Sequence, residues 1–242
     1  LQVGHIERFN PATQTAWPLC GPPRYIRAER LSPYAFRSTD IGVVHDLMIH
    51  DLDLILDLVR SPIRHVEAFG ISILGEHEDS AQARIHFASG CIADVTASRV
   101  NPTASRAMQI WSHEGCVNVD YGSREVVAYR PSLQLLHGKS PLEKSREAGA
   151  DVNKLKADMF GKYIEVLRPE VPPADALTAE LRSFIDCIRY NQAPIVGGRE
   201  GLAAMMAAEQ VLEGIATHQW DAQEHGAIGP FPDFGGRKKL AG

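Results

Sequence analysis

Short stretches with apolar residues at every second position fill the middle of the chain. In AQARIHF, Ala81, Ala83, Ile85 and Phe87 share one face and Gln82, Arg84 and His86 the other, the period-two pattern of a strand between unlike surroundings. HVEAFGISIL, CIADVTASRV, RAMQIWSHEG, CVNVDYGS and REVVAYRP repeat the theme, and glycine closes ASG at 88–90 and HEG at 113–115, where tight hairpins need positive φ. An antiparallel meander is predicted. Two further strands are expected before it, at residues 1–9 and in RYIRAERLSP, separated by NPATQTAWPLCGPP, where Pro11, Pro18, Pro22 and Pro23 break any long helix.

Other segments have the helical period. Residues 43–59, VVHDLMIHDLDLILDLV, are too apolar for a surface helix and too long for a usual strand, so a central buried helix is expected. DALTAELRSFIDCIRYNQ and GREGLAAMMAAEQVLEGIATH, separated by APIVGG, predict two closing helices, after which the last residues trail. Between about 134 and 175 the pattern dissolves into charged, weakly periodic sequence with one late strand at YIEVLRPEV, read as a mobile excursion and not a second domain. The expectation is one α+β domain over residues 1–242, an open, mainly antiparallel sheet with helices on one face and the other face free.

Composition narrows the function. At 242 residues and 44% hydrophobic side chains the chain can bury a sizeable core. A net charge of -5, with RKK at 237–239 as the only dense basic run, argues against nucleic acid and anionic lipid as partners. No apolar run approaches a membrane span, and LQVGHIERF lacks the order of a signal peptide, so a cytoplasmic location is expected. Cys20, Cys91, Cys116 and Cys187 are scattered, without a Cys-x-x-Cys pair, and are read as buried free thiols.

The chemistry concentrates in the apolar helix. Asp46, His50, Asp53 and Asp57 fall within about 60° of one another at 100° per residue. For Asp53 and Asp57 the solvent edge of the helix is the expected role; Asp51, on the apolar side of the wheel, needs a backbone amide or an Arg as partner. For Asp46 and His50, a carboxylate one turn from an imidazole can orient the ring and present its other nitrogen as a general base. His45 points elsewhere on the wheel, so one imidazole with carboxylates makes a poor metal site and none is expected.

VGHIERFNPA at 3–12, DIGVVHDLMIHDLDLI at 40–55 and ELRSFIDCIRYNQAPIVGGREGLAAMMAAEQVLEGI at 180–215 together resemble the C-terminal domain of the glucose-fructose oxidoreductase/inositol dehydrogenase (Gfo/Idh/MocA) family. GHIERFNP and DLMIHDLD look most like the branch that oxidises UDP-N-acetylhexosamines. The resemblance implies the substrate-binding and catalytic half of an NAD(P)-dependent oxidoreductase acting on a hydroxyl of a sugar or nucleotide sugar. Asp46 and His50 match the family's Asp-x-x-x-His acid–base pair; Arg8 and Asn10 match its Arg-Phe-Asn and are candidates for the sugar or a phosphate. Arg99 and Arg106, flanking VNPTAS, could meet a diphosphate through guanidinium forks. NAD or NADP belongs to the intact enzyme, in an N-terminal Rossmann domain expected upstream of Leu1 together with the family's Glu-Lys-Pro lysine. GGREG at 197–201 follows a loop, not a strand, so no cofactor is expected to bind this chain, and the fragment alone is expected to be inactive. A homo-oligomer through the open sheet face is expected. The alternative is a non-catalytic binding or assembly domain of the same fold.

Overall fold

The computed structural model describes residues 1–220 and 226–231. Its centre is an eight-stranded sheet of β1 (Pro23–Leu31), β2 (Ile63–Ile71), β3 (Ser80–Phe87), β4 (Ile92–Ser98), β5 (Ser105–Ser112), β6 (Gly115–Asp120), β7 (Glu125–Pro131) and β8 (Ile164–Leu167), in the order β2-β3-β4-β1-β5-β6-β7-β8. Neighbours are antiparallel except β1 and β4, which run parallel. The strands expected in RYIRAERLSP, through the meander and at YIEVLRPEV are present. The simple meander is not, because β1 inserts between β4 and β5.

One face of the sheet is apolar: Ile26 and Ala28 of β1 lie beside Ala93 and Val95 of β4 and Ile110 and Met108 of β5, all buried. Against this face pack α1 (Pro11–Ala16), α2 (Ile49–Val59) and α7 (Gly198–Thr217). Removing such a continuous apolar layer from water is the main driving term of the fold. The opposite face carries polar pairs. The Tyr25 hydroxyl donates to Asp94 at 2.8 Å, Arg84 grips the same carboxylate at 2.7 and 2.8 Å, and Gln109 donates to Asn118 at 3.0 Å. Hollows open on it, among them one of about 480 Å³ beside Arg27, Glu29 and Asn118 and one of about 440 Å³ among Trp111, Tyr129 and Phe160.

Residues 1–9 do not form the expected strand. Val3 donates to the Val196 carbonyl at 2.9 Å, and Ile6–Phe9 then curl into a 3-10 turn. The segment has no strand beside it, and its polar side chains are drawn to α2 and β1. The stretch from 134 to 163 contains three short helices, α3 (Leu133–His137), α4 (Pro141–Ser145) and α5 (Val152–Ala157), before β8 joins the sheet edge. Helix α6 (Ala176–Tyr190) has no buried residue. All four cysteines are free; Cys91 and Cys116 are buried, whereas Cys20 and Cys187 are only partly so.

Candidate functional site

The helix with the polar stripe begins irregularly. Val44–Met48 form a π turn in which the Ile49 amide donates to the Val44 carbonyl, and α2 follows directly. The free amides at its start are held by the loop before β3: Val43 donates to the Glu78 carbonyl at 3.0 Å and Val44 to the Glu78 carboxylate at 3.1 Å. Gly42 is required there, since a Cβ would collide with the Glu78 carboxylate.

The π turn changes the geometry of the stripe. One extra residue in the turn displaces side chains from the positions that 3.6 residues per turn assign. Asp46 and His50 are both half-buried, yet no hydrogen bond joins them: His50 Nδ1 is buried without a partner, and Asp46 makes no side-chain bond among the described residues. The expected hold of the carboxylate on the ring is therefore absent from this structure. Buried polar atoms are rarely left unpaired; among the described residues His50 Nδ1 shares this state with Gln2 Oε1, Ser72 Oγ and His86 Nε2, and of these it is the one in the polar stripe.

Asp53 and Asp57 are not a solvent edge. Arg8 donates from Nε and Nη2 to the Asp53 carboxylate at 2.6 and 2.9 Å, and its Nη1 lies 2.8 Å from Asp57. Asp57 also accepts from the Trp17 indole at 2.9 Å. Asp51 has the Arg partner expected of it, Arg30, which donates from Nε and Nη2 at 2.9 Å each; Arg30 Nη1 donates to Glu7 at 2.9 Å. Glu7, Arg30 and Asp51 form a buried triad linking the entry segment, β1 and α2. His5, also buried, stands edge-on to His50 with ring centroids 6.3 Å apart.

The triad sets the electrostatics. Burial pushes the His50 imidazole below its ordinary range and the Arg30 charge adds to this, while Asp51 and Glu7 oppose them and His5 reinforces them slightly. The net direction keeps His50 neutral near pH 7, the state in which an imidazole can accept a proton. Burial acts to raise the Glu7 carboxyl, but the charge and hydrogen bond of Arg30, with Asn10 and Arg106, outweigh it and hold Glu7 below its usual range.

The other expected site residues separate. Arg8 is committed to Asp53 and Asp57, so its guanidinium is not free for a sugar or phosphate. Asn10 caps α1, accepting from the Ala12 amide at 3.0 Å and donating to Glu7 at 2.9 Å. Arg99 is buried, donating to Asp79 at 2.8 Å and to the Ser38 and Ile41 carbonyls at 3.1 and 2.7 Å; it fastens the loop leading into the π turn and does not face a diphosphate. Arg106 is exposed, opposite Arg30 in the β1–β5 ladder and close enough to influence Glu7. It is the one of the four arginine and asparagine candidates left available to a ligand. His5, Glu7 and Arg30 were missed from sequence. Arg30 had a signal, since it occupies the apolar phase of its strand after Ile26 and Ala28.

The glycines of GGREG serve packing: a Cβ on Gly201 would press on Val3 at 2.9 Å and one on Gly198 would touch Leu1 at 3.3 Å. They do not form the open glycine turn that a pyrophosphate needs. Among the described residues, no group of three or more His, Cys, Asp or Glu is placed to hold a metal, and no helix is long and apolar enough to cross a membrane.

An open, mainly antiparallel sheet covered on one face by helices is the architecture that this chain shares with the solved structures below, and its resemblance is to the C-terminal domain of the Gfo/Idh/MocA family. Residues 16–118 match the family described as GFO/IDH/MocA C-terminal domain. The chain is 32% identical over 212 residues, 87% of its own length and 61% of the relative's, to a UDP-N-acetylglucosamine 3-dehydrogenase of Acidithiobacillus ferrooxidans. A solved structure of a UDP-N-acetylglucosamine 3-dehydrogenase from that organism superposes with a TM-score of 0.71 at 30% identity, over 87% of this chain and 60% of that one. A levoglucosan dehydrogenase solved with NADH shares the fold at a TM-score of 0.66 and 16% identity, over 88% of this chain and 63% of that one. The chain thus spans about 60% of the length of the relatives it matches.

Proposed function

We propose that this chain is the substrate-binding and acid–base half of an NAD(P)-dependent nucleotide-sugar dehydrogenase that oxidises a ring hydroxyl of a UDP-N-acetylhexosamine. The observation that carries this reading is His50: half-buried, with an unpartnered nitrogen, its proton affinity lowered by burial and by Arg30 of the buried triad, in a chain with 32% identity to a UDP-N-acetylglucosamine 3-dehydrogenase. By analogy with that relative, the hydroxyl at position 3 of the sugar is the one oxidised.

Oxidising a secondary alcohol to a ketone removes a proton from oxygen and a hydride from carbon. On this reading His50 accepts the proton, and Asp46, half-buried and unpaired, accepts a hydrogen bond from the sugar. Arg106 offers its guanidinium fork to the diphosphate. A bound nicotinamide would supply the hydride acceptor; the residues of this chain do not fit its pyrophosphate, and on this reading that site lies elsewhere in the enzyme. Leu177, Leu181, Ile185 and Ile188 recur on α6 at helical spacing and are all exposed, which supports the reading that another part of the enzyme covers them.

The test is to assay the intact enzyme for cofactor reduction with UDP-N-acetylglucosamine and related UDP-sugars, using NAD and NADP in turn. Formation of a keto-sugar with one of them is expected. Failure to oxidise any UDP-sugar would refute the assignment, whereas micromolar binding of NAD or NADP by this chain alone would show that the division of labour is wrong.

A further inference from the structure

We propose that Arg30 is a positioning residue for His50, one buried guanidinium joining the segment that carries His5 and Glu7 to the turn of α2 that carries His50. The inference rests on the reading of His50 given above.

Arg30 never reaches the open surface: its side chain is 5% exposed, and its partners Glu7 and Asp51 are 9% and 1% exposed. Asp51 follows His50 directly in the chain, and Glu7 lies two residues beyond His5. Fixing Asp51 to β1 fixes the first turn of α2, and fixing Glu7 sets the distance between His5 and His50. Arg8 also ties this segment to the same helix, through Asp53 and Asp57, two and six residues beyond Asp51. What Arg30 adds is a positive charge whose field acts on the imidazole. A buried ion triad is weak evidence for a role in stability alone, so its link to a candidate base has a better explanation in the base than in the fold.

The groups whose charges act on His50 are Arg30 from β1, Asp51 from α2 and Glu7 and His5 from the entry segment, with Arg106 of β5 acting on Glu7. Two negative charges and one positive charge close to the ring give a balance that single substitutions tip in opposite directions. Arg30→Gln leaves two carboxylates and should move the His50 titration midpoint up. Asp51→Asn and Glu7→Gln keep the cation and remove an anion, and each should move it down. Arg30→Lys keeps the charge and should stay nearest the parent.

The experiment is NMR titration of the histidines in this chain, with His50 assigned by its loss in His50→Gln. If Arg30→Gln does not fold, the two near-isosteric amide variants decide the matter, since opposite or absent movement in both overturns the proposal. In the intact enzyme the acid limb of kcat/KM should follow the His50 midpoint in each variant. Midpoints that move as stated while the pH–rate profile stays fixed would sustain Arg30's hold on His50 and refute His50 as the base; midpoints that stay fixed would overturn the role of Arg30 whatever the activity.

Discussion

Replacing Arg8 by Met separates a structural arginine from a substrate-binding one. The guanidinium contacts Asp53 at 2.6 and 2.9 Å and Asp57 at 2.8 Å, with side-chain exposures of 7% for Arg8, 1% for Asp53 and 23% for Asp57. Asp57 keeps its bond from Trp17 and is partly exposed to solvent, so its loss is small. Asp53 would be left as a buried carboxylate without its cation, and breaking a buried pair from one side costs about 3–5 kcal/mol. For a chain of this length that corresponds to a fall in melting temperature of roughly 6–20 °C. Urea unfolding followed by circular dichroism measures it directly. The double variant Arg8→Met with Asp53→Leu should recover most of the loss, because no unpaired charge remains. A stability within about 0.5 kcal/mol of the parent, the usual range for a surface substitution, would refute the structural role and return Arg8 to the substrate.

Acid should weaken the fold through His50. Its folded pKa is depressed by burial and by Arg30, so between that value and the unfolded value near ~6.5 the unfolded chain binds more protons and stability rises with pH. The urea midpoint should fall as pH is lowered from neutral through this window, and His50→Gln should flatten the slope; equal slopes would count against a buried neutral imidazole. At more acid pH, below the unfolded range of Glu near ~4.3, protonation of Glu7 should remove further stability, a loss that Glu7→Gln should abolish. Trp111 and Tyr129 on the uncovered sheet face support self-association there, and sedimentation should show an oligomer that persists on dilution; a monomer at tens of micromolar would contradict it.

Period-two alternation made the strands legible because each strand separates an apolar from a polar face, and that contrast is local. The insertion of β1 between β4 and β5 was not legible, since pairing between residues far apart leaves no mark in either segment alone. The stripe on α2 was visible, but a wheel drawn at constant pitch fails across the π turn at Val44–Met48, and the orienting bond from Asp46 to His50 fails with it. Asp53 and Asp57 seemed suited to solvent because their partner, Arg8, sits in a segment whose alternation suggested a strand. Arg30 could have been noticed as a charge in the apolar phase of β1. His5 and Glu7 carry no local signal, as their roles come from β1 and α2 folding onto them.

The central claim is that His50 accepts the substrate proton. Turnover of the intact enzyme with His50→Gln, beside Asp46→Asn and across pH, tests it most directly. The account predicts a loss of about 100-fold or more in kcat, as expected when a general base is removed, with KM little altered, a smaller loss for Asp46→Asn, and disappearance of the acid limb in the His50 variant. Near-normal turnover of His50→Gln with the acid limb intact would contradict it.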